Sequence, residues 1–227
     1  MQSILTNIVE LFKANQNQEK AGPMCAYMKN RFPFLGISNP ERKRLLKPTS
    51  RLSKHLSLDD LSQLISALYH QDEREFQYAA IDLFSDNIGR LTGDWHSIAE
   101  YLPFITIKSW WDSVDSLRKP IGLWVKKDIQ AYLPQMMNYL LSSENMWNRR
   151  VAITLQLQWK QETDVEWLEK AILVNQRDHE FFIQKGIGWA LREYSKTNKT
   201  WVIAFLKKNS EFLSPLAIRE SSKYLHE

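Results

Sequence analysis

The feature that most constrains this chain is a single repeated pattern: apolar side chains three and four residues apart, in segment after segment. It runs through 2–13, 18–31, 40–54, 58–69 and 73–87, then 94–102, 108–118, 121–130, 132–142, 146–160, 164–174, 179–195, 198–208 and 214–225. That period puts apolar residues on one face of a helix, and no segment shows the sustained alternation of a half-buried strand. Pro33, Pro40, Pro103, Pro120, Pro134 and Pro215 punctuate the segments, some at first-turn positions where proline is tolerated. Only 7 Gly and 8 Pro leave little material for the many turns of a β-sandwich. The pattern predicts an all-α protein of at least ten helices, stacked as antiparallel pairs into one curved domain over 1–227.

Composition narrows the class further. At 227 residues the chain can bury a large core, and 44% hydrophobic with 25% charged residues is ordinary for a soluble globular protein. No apolar run approaches the roughly 20 residues of a membrane span. The opening Met1-Gln2-Ser3-Ile4-Leu5 lacks the basic region of a secretory signal, so the expected compartment is the cytoplasm. A lone Cys25 excludes an intrachain disulfide and reads as a small buried apolar residue. His55, His70, His96, His179 and His226 show no ligand spacing, so neither a metal nor a cofactor is expected. A net charge of +4 is mildly basic and identifies a nucleic-acid binder only if the cations gather on one face.

A degenerate repeat underlies the helices. Ala80-Ile81, Ala152-Ile153 and Gly186-Ile187 each follow an aromatic residue (Phe76, Trp147, and Phe181 or Phe182) by four or five positions. Ile81 and Ile153 are 72 residues apart and Ile153 and Ile187 are 34 apart, which suggests units of 36 and 34 residues built from helix pairs. Small residues at these points let neighbouring pairs stack closely, and stacked pairs curve around a long binding surface.

The chemistry-bearing candidate is the run 108–118. In a helix, Lys108, Trp111, Asp115 and Arg118 share one face, while Trp110, Val114 and Leu117 share an apolar one. Trp110 is accordingly expected to be the more buried of the two tryptophans. An aromatic ring beside a carboxylate and two cations could hold a cation, a sugar or a positively charged transition state. Lys185, Trp189 and Arg192 repeat the theme in 179–195, and Trp147, Arg150, Thr154 and Gln158 line up in 146–160. Arginine interleaved with tryptophan suits a phosphate backbone plus something flat. Against this, a lone helical tryptophan is more often core than ligand contact, and helical charge pairs are usually solvated surface. Phe34-Leu35-Gly36-Ile37 reads as an apolar loop tucked under a helix, with Gly36 supplying the turn. On pattern alone the chain is a helical-repeat binding protein.

Five strings carry a more specific signal: Tyr27-Met28-Lys29-Asn30, Phe34-Leu35-Gly36-Ile37, Glu75-Phe76-Gln77, the run from Ser109 to Asp115, and the run from Phe181 to Tyr194. Together they resemble the AlkD family of DNA alkylation repair glycosylases, in order along nearly the whole chain, with 84–107 the least recognisable. The resemblance implies a curved superhelix of HEAT-like repeats binding duplex DNA on its concave face. It also implies excision of cationic N3- and N7-alkylated purines without drawing the lesion into a base pocket, in base excision repair. By this resemblance Trp111 and Asp115 form the catalytic centre and Trp189 is a second aromatic wall. Arg150 holds the backbone near the lesion, and Tyr27, Lys185 and Arg192 are supporting DNA contacts. The partner is duplex DNA containing alkylated purines, no membrane is involved, and the chain is expected to be monomeric.

Alkylation makes the purine a cationic leaving group, so no strong general acid is needed. The deoxyribose turns oxocarbenium-like as the glycosidic bond breaks, and a carboxylate near C1′ stabilises that charge and can orient a water. Aromatic faces stabilise the same charge through their quadrupole. One departure stands out. Gln158 falls on the Arg150 face, where the resemblance leads one to expect a basic residue, with Glu162 and Asp164 close behind. The family also includes members that keep the fold without excision. The alternative is therefore a non-catalytic HEAT-like repeat protein binding branched DNA, RNA or a protein partner.

Overall fold

The computed structural model describes residues 2–225, and among these every regular element is helical. His226 and the terminal Met1 lie outside the described residues. The chain divides into two compact units, Met1–Phe104 and Ile105–Glu227. The first contains α1 (Gln2–Ala14), α2 (Gln18–Tyr27), α3 (Asn39–Ser53), α4 (Leu58–Tyr69), α5 (Arg74–Asn87) and the short α6 (Trp95–Ala99). The second contains α7 (Trp111–Val125), α8 (Ile129–Leu141), α9 (Met146–Thr154), α10 (Val165–Asn175), α11 (Phe181–Ser195), α12 (Lys199–Asn209) and α13 (Pro215–Ser221).

Side-chain caps set many of the helix starts. Asn17, Ser57, Asp128, Asn145, Asp164, Asn198 and Ser214 each accept a backbone N–H from the first turn that follows. Each cap satisfies one of the donors a helix start leaves orphaned. Pro40 and Pro215 sit in first turns as expected. Pro120 and Pro134 do not punctuate: both lie inside helices, so α7 runs unbroken to Val125 and α8 begins earlier, at Ile129. An interior proline costs about 3 kcal/mol through its lost hydrogen bond. At Pro120 the ring is buried with Leu117, Ile121 and Trp124, and that burial offsets the cost.

In each unit, consecutive helices pack as pairs, as α4 does on α5 and α8 on α9. Alternate helices also stack: α3 on α5, and α7 on α9 on α11 on α13. This is the packing of a helix-pair repeat, and the small residues of the repeat sit where it requires them. Ala80, Ala152 and Gly186 are buried on α5, α9 and α11. The first unit is cored by ring stacks, with centroids 5.4 Å apart for Phe12 and Phe76 and 4.3 Å for Phe84 and Tyr101. The second unit stacks Trp124 on Tyr132 at 4.4 Å.

The loop at 34–37 shows why the first unit needs a buried acid. Glu75, fully buried on α5, accepts N–H groups from Leu35, Gly36 and Ile37 at 3.0, 2.9 and 3.0 Å. Gly36 has φ +84, and a Cβ there would lie 2.0 Å from the Asn17 carbonyl oxygen. The expected glycine turn is present, and its other half is a carboxylate some forty residues away in sequence.

Candidate functional site in the second unit

The candidate centre begins at a break in the backbone. Lys108 has φ +46, Trp110 is extended at φ −156, and α7 starts only at Trp111. Lys108 therefore does not share the helical face of Trp111, Asp115 and Arg118, and Trp110 is the residue that precedes the helix rather than part of its apolar stripe. Both tryptophans are half-buried. Trp110 turns its ring edge toward Phe182 at 4.8 Å and toward Trp147 at 6.0 Å. Trp147 is buried within this cluster, so it packs α9 against α11 instead of lining a surface.

One turn along α7, Asp115 meets Arg150 of α9. Arg150 Nε donates to Asp115 Oδ1 at 2.9 Å and Nη2 donates to Oδ2 at 2.8 Å, a two-pronged pair that fixes both side chains. Arg150 Nη1 donates to the Phe182 carbonyl at 2.5 Å, anchoring the guanidinium at the start of α11. The Arg150 side chain is 4% exposed, whereas that of Asp115 keeps 18%. Gly186 makes room for this: a Cβ there would lie 3.3 Å from Arg150 Nη1. The Asp115 side chain is pinned by Arg150 and stays partly exposed.

Arg118, a further turn along α7, joins this centre to Trp189. Its guanidinium carbon lies 5.8 Å from the Trp189 ring centroid, within reach of the ring's electrostatic attraction. Burial lowers the Arg118 pKa from its ordinary value; Asp115 opposes that shift and Arg150 adds to it. Arg118 is thus a partly desolvated cation stationed between a carboxylate and an aromatic wall.

Lys185 and Arg192, the other cations expected on α11, converge on a residue the sequence did not single out. Glu220 of α13 accepts Lys185 Nζ at 2.9 Å, and its second oxygen accepts Arg192 Nη1 and Lys223 Nζ at 2.8 Å each. The hydrogen-bonded Lys223 and Lys185 ammoniums hold the Glu220 carboxyl down at about 2. The available signal was the repeat itself, since Glu220 stands 34 residues beyond Gly186, one period on. The Phe182 carbonyl had no signal at all, because any residue supplies one.

Two other expected features remain. Tyr27, the last residue of α2 in the first unit, is 69% exposed beside an apolar hollow of about 260 Å³ lined by Met24, Phe34 and Tyr78. Gln158 does not lie on the Arg150 face. Helix α9 stops at Thr154, and Gln158 sits exposed in a turn at φ +69.

Among the described residues, no three His, Cys, Asp or Glu side chains lie close enough to hold a metal ion. Among the same residues, no helix is long and apolar enough to cross a membrane.

No curated protein matches the sequence significantly. The chain is similar to the solved structure of a predicted DNA alkylation repair enzyme from Enterococcus faecalis, at 45% identity and a TM-score of 0.89, over 93% of this chain and 97% of that one. AlkD2 from Streptococcus mutans shares the fold at 21% identity and a TM-score of 0.64, over 80% of this chain and 91% of that one. The protein smu.31 from Streptococcus mutans UA159 does so at 21% and 0.63, over 79% and 92%. The sequence model of the family described as DNA alkylation repair enzyme matches residues 8–225, and the chain belongs to that family.

Proposed function

We propose that the protein is a DNA glycosylase that excises cationic N3- and N7-alkylated purines from duplex DNA without flipping the base, the first step of base excision repair. The observation that carries this reading is Asp115: a carboxylate fixed by a buried arginine, partly open to solvent, one helical turn from Trp111. A preorganised negative charge of that kind stabilises an oxocarbenium-like deoxyribose with no reorganisation at the moment of bond cleavage. Trp111 and Trp189 supply aromatic faces for the same developing charge and for the sugar C–H groups. Lys185 and Arg192 keep partly exposed cationic heads for backbone phosphates, and Tyr27 offers an exposed ring on the first unit. Arg150, assigned to the DNA backbone by resemblance, is better supported as the residue that positions Asp115, because three of its five N–H donors point to Asp115 and Phe182.

Selectivity then comes largely from the leaving group, since a cationic purine departs without protonation. Duplex DNA carrying N7-methylguanine, incubated with excess protein, is expected to release free base well above the spontaneous rate, and DNA lacking the lesion is expected to release none. Release at the spontaneous rate despite saturated binding would leave a non-catalytic DNA-binding protein in place of the enzyme.

A further inference from the structure

Glu220 is unusual for a buried acid. It is 5% exposed, yet the Lys185, Arg192 and Lys223 side chains that reach it are 41%, 23% and 48% exposed. One carboxylate cancels one of three positive charges, so the cluster carries a net +2. Arg192 and Lys223 share one oxygen and lie within about 6 Å of each other, where like charges repel. Stability alone would be served by one or two cations. Gathering three beside an open surface leaves positive charge suited to a second anion.

The placement is built into the backbone. Lys185, Trp189 and Arg192 follow one face of α11, so the two cations bracket the tryptophan. Helix α13 approaches that helix at Gly188, where a Cβ would lie 2.4 Å from Glu220 Cβ and 3.1 Å from the Ala217 carbonyl oxygen. The two glycines of α11 thus admit two charge devices: Gly186 the Arg150 that fixes Asp115, and Gly188 the Glu220 that fixes Lys185 and Arg192.

We propose that Glu220 is a positioning residue for the nucleic-acid backbone, holding Lys185 and Arg192 on either side of Trp189 so that a phosphodiester meets a prearranged pair of cations. The inference rests on the reading of this protein as a duplex-DNA binder. Phosphate donors already in place need no side-chain ordering on binding, and that saving is what preorganisation contributes to affinity.

The test turns on a sign. Glu220→Gln adds one net positive charge, so charge alone predicts tighter binding to DNA. Positioning predicts the opposite: a duplex affinity at low salt weaker by about tenfold, with a shallower salt dependence as fewer phosphates are neutralised. A double-mutant cycle separates this from general damage to the fold. In a Lys185→Gln, Arg192→Gln background, Glu220→Gln should cause no further loss. Unchanged or tighter binding by the single variant overturns the proposal, as does an equal loss in both backgrounds. Where Glu220→Gln shows no cooperative melting, Glu220→Asp is read by the same criteria, since it keeps the charge but draws the carboxylate back by one methylene. Failure of the unaltered protein to bind duplex DNA at low salt removes the DNA reading and the proposal together. Tighter binding by Glu220→Gln, with normal binding by the unaltered protein, removes the proposal alone.

Discussion

Glu75 in the first unit and Asp115 in the second are both carboxylates with their partners fixed, and they do opposite things. Glu75 is fully buried and accepts three backbone N–H groups. Asp115 accepts hydrogen bonds from a single guanidinium side chain and stays partly exposed. Backbone donors bind Glu75 into the path of the chain, so its charge holds a loop against α5. A side-chain partner from a neighbouring helix fixes Asp115 in orientation while leaving acceptor capacity on its oxygens unused. The contrast separates an acid sealed into the core from one that stays partly exposed.

Breaking the folding acid should have the largest effect on stability. Glu75→Gln retains the shape but turns an amide N–H toward backbone donors, and a loss of about 3–5 kcal/mol is expected in urea denaturation. Its folded fraction should excise at the normal rate, because nothing in the second unit changes. A smaller loss, about 1–3 kcal/mol from overpacking, is expected for Gly188→Ala, whose methyl would meet Glu220. Duplex affinity should fall with it as the cation pair shifts, which a filter-binding or anisotropy titration would read.

A third carboxylate, Glu220, is the one that acid should reveal. The Glu220 pKa in the folded protein lies at about 2, below its ordinary value of 4.5. Its contribution to stability is therefore complete above about pH 4.5 and is lost as pH falls toward 2. Urea midpoints between pH 5 and pH 3 should fall further for the unaltered protein than for Glu220→Gln. The smallest effect belongs to the exposed pair of Lys126 with Glu162 at 2.5 Å, where Lys126→Ala should change stability by less than about 1 kcal/mol.

Much of this architecture was legible in the sequence because helix periodicity is local. The thirteen α-helices among the described residues fall largely where apolar residues recur every three or four positions, and Trp111 and Asp115 do share a face of α7. Boundaries were less legible where non-glycine residues adopt left-handed conformations. Lys108, Gln158 and Lys160 all have positive φ, and no local signature separates them from helical lysine or glutamine. For that reason helix periodicity places Lys108 and Gln158 on faces they do not occupy. At Pro120 and Pro134 proline's local cost is plain in sequence and suggests helix ends, whereas the burial that offsets it at Pro120 is a property of the fold. Partners were the least legible. Arg150 finds Asp115 across 35 residues, and Glu220 finds Lys185 across a similar gap, and such pairings emerge only once alternate helices stack.

The central claim is that Asp115 supplies charge to the transition state, and Asp115→Asn tests it most directly. The substitution keeps size and one acceptor but removes the charge, and it leaves the buried Arg150 without a counter-ion, so the folded fraction must be measured alongside. The measurement is single-turnover release of N7-methylguanine from duplex DNA at saturating protein, expressed per folded molecule. The account predicts a rate lower by about 10²–10³, equivalent to about 2.7–4 kcal/mol, with duplex affinity little changed. Equal rates for Asp115→Asn and the unaltered protein would contradict it.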